Sequence, residues 1–249
     1  MIYVCIAAKN DAATVGLLLW KVRQVFEEFR REYHLLVADD ASSDESSEVL
    51  EAYQRTLPAT MTRHEQPRGY AACVEELLRQ ALERTDRPRR DCVVTLPADF
   101  SISPVVLPVL IKRIESGADV VVGEPADAPA STGMRLVRRT APWLLKPGLQ
   151  LGGFRDVLSG VYAFRLITLK SCLRSRSRPL LRTEGRCANA ELVARTAVSA
   201  RQIAVVSITA GTPDGMRPRK ERSIPLAASL LRAGRTLQIP AAQTPVNRA

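Results

Sequence analysis

Short apolar runs and longer amphipathic stretches alternate along this chain from its first residues. Ile2–Ala7 reads as a buried strand, and Thr14–Arg31 as a helix with Val15, Leu18, Leu19, Val22, Val25, Phe26 and Phe29 on one face. Leu35–Ala38 predicts a second strand, Glu45–Arg55 a helix, Thr60–Arg63 a short edge strand, and the stretch from Gly69 to about Arg84 another helix. Arg87–Arg90 is a basic turn and Cys92–Leu96 a buried strand. Pro104 suits the first turn of a helix that ends near Gly117, and Ala118–Gly123 is a further strand. This alternation predicts an α/β fold, a mostly parallel sheet with right-handed crossovers flanked by helices.

The rhythm breaks at Glu124. Residues 125–133 are rich in Pro, Ala, Ser and Asp and read as a loop. Residues 134–151 form a basic, amphipathic region with Arg135, Arg138, Arg139, Trp143 and Lys146. Val161–Phe164 and Ile203–Ile208 read as strands, Glu191–Ala200 as part of a helix, Gly211–Ser223 as a mobile basic loop and Ile224–Leu237 as a helix. One domain over residues 1–237 is expected, with 238–249 a disordered tail.

At 249 residues the chain can bury a full core, and 46% hydrophobic content is ordinary for a globular protein. No run approaches the roughly 20 apolar residues of a membrane span, and Lys9, Asn10 and Asp11 interrupt any signal-peptide pattern. The expectation is therefore a cytoplasmic protein. The five scattered cysteines read as reduced core thiols rather than a disulfide frame or zinc site. With only His34 and His64, a histidine-based metal site or triad is not expected. The net charge of +10 favours anionic partners such as nucleic acid, a phospholipid surface or phosphate-bearing substrates. Without zinc-finger spacing, an RNA-recognition signature or aromatic-interleaved basic stretches, nucleic acid is not the expected partner.

The most informative segment is Leu35 to Asp44, where an apolar run ends abruptly in Asp39 and Asp40, followed by Ala41, Ser42, Ser43 and Asp44. In open α/β sheets, ligands bind beyond the carboxyl ends of the strands. A helix start at Ser42 or Ser43, with Asp44 and Glu45 on the positive helix end, accounts for Ser43 and Asp44 but not for Asp39 and Asp40.

Further segments stand in order around it: Ile6 to Asp11, Arg68-Gly69-Tyr70-Ala71-Ala72, Leu96-Pro97-Ala98-Asp99-Phe100, Ala118 to Gly123, and Asp156-Val157-Leu158-Ser159-Gly160. The set resembles glycosyltransferase family 2, in particular soluble catalytic domains like the dolichyl- or polyprenyl-phosphate mannosyltransferases, over roughly residues 1–223. The resemblance implies a GT-A-type, Rossmann-like fold with a nucleotide-binding part in 1–123 and an acceptor part in 124–237. The implied activity is inverting transfer of a sugar from a nucleotide-sugar to an acceptor.

Carried over residue by residue, Asp11 and Asp39, with Asp40 beside it, contact base and ribose. Ala7, Gly69, Ala98 and Asp99 complete the donor site. Asp156, with Ser159-Gly160, matches the family's Asp-x-x-Ser-Gly segment near the acceptor and is expected to be catalytic; Glu184 and Glu191 are the other acids in this half. Glu191, at the front of a helix, reads equally as a surface acid that offsets the helix dipole. Arg217, Arg219 and Lys220, with Arg222, fall where the family carries a basic phosphate-binding patch, so Arg217 is expected to stabilise the departing diphosphate. A helix cap remains an equal reading for Asp11, and a solvated basic loop for residues 217–222.

One departure matters. Pro97 replaces the first aspartate of the family's Asp-x-Asp segment, leaving Asp99 as metal ligand. A divalent cation, Mg²⁺ or Mn²⁺, can still be held by one carboxylate plus phosphate oxygens, but more weakly. The basic region 134–146 is suited to an anionic membrane surface, which suggests a polyprenyl phosphate acceptor and peripheral membrane contact. The alternative is a catalytically silent GT-A domain that binds a nucleotide or a protein partner.

Overall fold

The computed structural model describes residues 1–126, 132–145, 149, 151, 153–173, 179–209, 223–240 and 246–248. Its centre is an eight-stranded sheet. The strands are β1 (Ile2–Ala8), β2 (Tyr33–Asp39), β3 (Ala59–Arg63), β4 (Cys92–Pro97), β5 (Val120–Pro125), β6 (Tyr162–Arg165), β7 (Ile203–Ile208) and β8 (Val246–Arg248). They lie in the order β3-β2-β1-β4-β6-β5-β7-β8. All neighbours pair in parallel except β6, which runs antiparallel to both β4 and β5. The chain therefore winds outward from β1 to β3 and then crosses back to β4, which creates a switch point beside β1.

The helices are α1 (Ala12–Phe29), α2 (Ser46–Gln54), α3 (Tyr70–Arg84), α4 (Leu107–Glu115), α5 (Thr132–Leu145), α6 (Leu166–Cys172), α7 (Arg186–Ser199) and α8 (Ser223–Thr236). A short 3₁₀ turn at Pro104–Val106 precedes α4. In β1, Ile2, Val4 and Ile6 pack with α1 and α4 on one face, whereas Tyr3 and Cys5 pack with α3 and the later helices on the other. Side chains alternate across a strand, so a strand buried on both faces is apolar at every position. All five cysteines are free, and four are buried.

Three features differ from the sequence reading. The Val161–Phe164 run forms β6 antiparallel rather than as another parallel strand. Residues 166–172 form a helix that the pattern did not indicate. In the segment expected as a disordered tail, Ile239 bridges Leu149 and Val246–Arg248 pairs with β7.

Helix α8 lies on α5, and the approach is close at Gly234. A Cβ there would sit 2.5 Å from the Leu144 carbonyl oxygen, a backbone atom that cannot swing aside. Gly234→Leu should therefore push α8 off α5 and cost about 1–3 kcal/mol, read as a lower urea midpoint.

Candidate functional site

The carboxyl ends of β1, β2 and β4 lie level, because Ala7 is in register with both Ala38 and Pro97, and Ala8 with Asp39. Just beyond these ends Asn10, Ala41 and Phe100 each adopt left-handed backbone, with φ of 55°, 53° and 54°. Non-glycine residues adopt this conformation only at a cost that the surrounding structure must offset. Here the turns are cross-stitched. Asn10 Oδ1 accepts from Ser43 N at 2.8 Å, Ser42 Oγ accepts from Asn10 N at 2.9 Å, and Ser46 Oγ accepts from Asp11 N at 2.9 Å. Thr14 Oγ1 donates to the Ala98 carbonyl at 2.8 Å, tying α1 to the end of β4. The result is a preformed rim at the switch point, the place where open α/β sheets hold their ligand crevice.

The two aspartates differ in their surroundings, although both are buried. Asp39 is held within its own turn: Ser42 donates through its N–H and hydroxyl, and Ser47 Oγ donates at 2.5 Å. Asp40 is held by groups from the end of β1 and the start of α3. Lys9 Nζ lies 3.2 Å from Oδ2, Arg68 N donates to Oδ1 at 2.6 Å, and Gly69 N approaches both oxygens. Burial opposes its charge, but the Arg68 N–H, Lys9 and the Gly69 N–H outweigh burial and hold the carboxyl down to about 2.

Behind Asp40 lies His64, with Nδ1 at 3.5 Å from Asp40 and Nε2 at 3.0 Å from Glu76. Cys73 Sγ lies 3.7 Å from His64 Nδ1. Asp40, His64 and Cys73 thus bring three ligand-type atoms within 4.8 Å of one another. Burial and the Asp40 charge push the Cys73 thiol up to about 12, so it does not present the thiolate that binds metal. The group is therefore read as a hydrogen-bonded support for Asp40.

Gly69 opens α3 with φ of +93°, and a Cβ there would meet Glu184 Oε1 at 2.8 Å. Glu184 in turn accepts from Ala71 N at 3.3 Å, in the first turn of α3. The Asp11 side chain does not cap α1; its Oδ2 accepts from Lys9 N at 3.0 Å. Nor do Ser42 and Ser43 cap α2, which begins at Ser46, where Asp44 accepts from the Ser46 N–H and hydroxyl.

Asp99 is half-buried past β4, and Ser101 N donates to its Oδ1 at 3.0 Å. Tyr70, whose hydroxyl is pushed up to about 12 by burial, donates to Asn189 Oδ1 at 2.8 Å and feels the Asp99 charge.

Since β4 and β5 both run antiparallel to β6, the carboxyl end of β5 lies on the same sheet edge, two strand positions from β4. A cleft of about 920 Å³ opens there between Pro125, Ala126 and α5. Arg135, Arg138, Arg139 and Arg155 supply its charge, and Trp143 and Phe154 its apolar wall. Asp156 also lines it, 3.5 Å from Arg138 Nη1. Burial raises the Asp156 carboxyl despite the Arg138 guanidinium. Glu124 accepts from the N–H groups of Arg155 and Asp156 and so fixes this loop.

Lys9, His64, Cys73 and Asn189 were not singled out from sequence as partners of the expected site; Glu184, expected on the acceptor side, sits at the start of α3 beside Gly69, and Arg138 of the basic stretch lines the β5 cleft. Arg217, Arg219, Lys220 and Lys146 lie outside the described residues. Glu191 is corrected. It is fully buried rather than a surface acid, and binds Arg195 and the 182–183 loop.

A mostly parallel sheet with one antiparallel strand, and acids at the ends of its first strands, defines a GT-A-type glycosyltransferase fold. Consistent with this, the chain superposes with a TM-score of 0.62 on Mycobacterium tuberculosis glucosyl-3-phosphoglycerate synthase, solved with Mn²⁺, UDP and glucosyl-3-phosphoglycerate. Identity is 20%, covering 94% of this chain and 77% of that one. The chain belongs to glycosyl transferase family 2, whose model matches residues 3–168.

Among its relatives is the undecaprenyl-phosphate 4-deoxy-4-formamido-L-arabinose transferase of Photorhabdus laumondii, 29% identical over 145 residues, or 55% of this chain and 40% of that protein. Another is the bactoprenol glucosyl transferase of Shigella phage SfX, 26% identical over 144 residues, or 55% of this chain and 42% of that one. The chain thus matches less than half the length of these relatives. Among the described residues no helix is long and apolar enough to cross a membrane.

Proposed function

We propose that this chain transfers a sugar, with inversion, from a nucleotide-sugar to a polyprenyl phosphate. The observation that carries this reading is the pairing, on one sheet edge, of the acids that follow β1, β2 and β4 with an arginine-walled cleft at β5. Two strand spacings are about 10 Å, a span that one sugar and its leaving group can bridge. The polyprenyl carriers named in the two relatives above support this acceptor.

In this reading Asp40 and Asp39, with Asp11, receive hydrogen bonds from base and ribose, and Ala7, Ala98 and Gly69 let the nucleotide lie close to backbone. Asp99 keeps one oxygen for a divalent cation, since Ser101 N binds only the other. The cation would supply Lewis-acid charge to the diphosphate, and the Mn²⁺ and UDP of the synthase structure support such use. Arg217, Arg219 and Lys220 are assigned to the same diphosphate.

On the acceptor side the arginines of the cleft hold the lipid phosphate, while Trp143 and Phe154 meet its first apolar units. A phosphate oxygen attacks the anomeric carbon, and the bond from that carbon to the donor diphosphate breaks. The nucleoside diphosphate leaves with the electron pair. The nucleophile is already ionised, so no general base is required. Asp156 then serves to orient Arg138. The chain would work at the membrane surface from the cytoplasmic side.

The test is a screen of UDP-, GDP- and dTDP-sugars against polyprenyl phosphate in detergent, with products read by mass spectrometry. One donor should yield a glycosyl phosphoprenol and an equal amount of nucleoside diphosphate. Donor binding without turnover of any kind would instead make this a silent GT-A domain. Because Pro97 offers no ligand atom, part of the activity should survive EDTA. Complete loss, reversed by micromolar Mn²⁺, would show that other ligands replace the missing aspartate.

A further inference from the structure

Helices α5 and α8 share a property that extends beyond the cleft, whose wall Trp143, Arg135 and Arg139 also form. Each exposes a pair of large apolar residues seven positions apart. On α5 these are Leu136, 63% exposed, and Trp143, 71% exposed; on α8 they are Ile224, 82% exposed, and Leu231, 42% exposed. Seven residues are nearly two full turns, so each pair lies on one outward stripe. The inward stripes differ: Val137, Ala141 and Leu145 of α5, and Leu230 and Ala233 of α8, join the core.

The two helices run side by side in the same direction. A Cβ on Gly133, near the start of α5, would lie 3.0 Å from Ser223 Oγ, at the start of α8. Gly234, near the end of α8, meets the backbone of Leu144 and Leu145, at the end of α5. Their exposed stripes therefore lie on neighbouring parallel cylinders.

Charge completes the pattern. Neither helix contains an acidic residue, and exposed Arg135 and Arg139 on α5 are joined by Arg232 and Arg235 on α8. Exposed Trp, Leu and Ile interleaved with arginine suit the boundary of an anionic bilayer, where apolar tips enter the acyl edge and guanidinium groups meet headgroup phosphates. A polyanion such as nucleic acid would satisfy the arginines but leave the apolar tips in water.

We infer that the parallel α5–α8 pair is one docking face for an anionic lipid surface, with Leu136, Trp143, Ile224 and Leu231 as its inserted residues. This rests on the proposed lipid acceptor, because the arginine-walled cleft opens beside α5 and the face would bring it to the lipid.

The test uses the full chain carrying Trp20→Phe, which leaves Trp143 as the sole tryptophan. Vesicles of phosphatidylglycerol with phosphatidylcholine should sediment the protein and shift Trp143 emission to the blue, whereas phosphatidylcholine alone should do neither. Leu136→Glu with Ile224→Glu, both exposed positions, should weaken vesicle binding at least tenfold with an unchanged thermal melt.

Three results would overturn the inference. One is Trp143 emission that ignores anionic vesicles. Another is a blue shift that grows with protein concentration in the absence of lipid, which would mean a second copy covers this face. The third is a double variant that binds vesicles like the parent. Transfer assays separate this idea from the proposed function. The double variant should glycosylate a short, water-soluble prenyl phosphate normally, yet lose activity on acceptor embedded in vesicles. A parent chain that glycosylates neither acceptor would defeat the proposed function, leaving the vesicle measurements to judge the docking face.

Discussion

Replacing Asp40 with alanine should weaken binding of the preferred nucleoside diphosphate by roughly 10- to 100-fold, the effect of losing about 1.5–3 kcal/mol in a charge-assisted bond. The same change frees Lys9 and leaves the N–H groups of Arg68 and Gly69, which open α3, without their common acceptor. Asp40→Asn is the sharper variant, since it keeps the shape and loses only the charge. Asp39→Asn should be milder, because two of its three donors are serine hydroxyls that can rotate to suit an amide. Calorimetric titration of all three variants decides the matter. Unchanged affinity in the Asp40 variants would leave that residue only a clamp on the start of α3.

Acid provides an independent check on Asp40. Its carboxyl titrates near 2 in the folded chain, against an ordinary 3.8. A depressed carboxylate stabilises the fold above its unfolded pKa, and that contribution fades as pH falls through the folded value. Asp40 should therefore contribute about 2 kcal/mol at neutral pH, lost between about pH 4 and pH 2. Asp40→Asn should start less stable and show a shallower loss over that window.

How far the site could be read from sequence follows from what each interaction leaves in the chain. The first strands were legible because a run buried on both faces must be apolar throughout, and Asp39 and Asp40 were conspicuous because they end such a run. The partners of Asp40 were not. Lys9 lies 31 positions away, and the Arg68 and Gly69 donors are backbone N–H groups that every non-proline residue carries. The direction of β6 was equally hidden, since Tyr-Ala-Phe-Arg reads the same whether its neighbours are parallel or antiparallel. Seven residues of α6 and three of β8 are too few to show a period. The α5 cleft was half visible, as a basic amphipathic stretch. Its closure by Arg155 and Asp156 required a loop held to Glu124 across 31 residues.

Glu191→Ala should produce the largest loss of stability, about 3 kcal/mol, because it leaves the half-buried Arg195 and three loop donors without their buried acceptor. The acid lies at 0% exposure, with Arg195 Nη2 at 2.7 Å. Its other oxygen accepts from Arg182 N at 2.9 Å, Thr183 N at 3.0 Å and Thr183 Oγ1 at 2.8 Å. Alanine would strand a guanidinium and three donors together. Glu191→Gln keeps an acceptor for the loop and should cost less. Glu191→Leu with Arg195→Leu removes the bare charge but not the backbone donors, so it should recover only part of the loss. The consequence reaches the crevice, because Glu184 follows this loop directly and binds Ala71 N at the start of α3, beside Gly69. Glu191→Gln should accordingly weaken nucleotide binding even at temperatures where the variant is fully folded, whereas Arg195→Leu, which leaves the loop bonds in place, should not. Urea unfolding with nucleotide titration at 15 °C reads both effects. Equal nucleotide affinity in the parent and in Glu191→Gln would confine Glu191 to the core and break the link to the crevice.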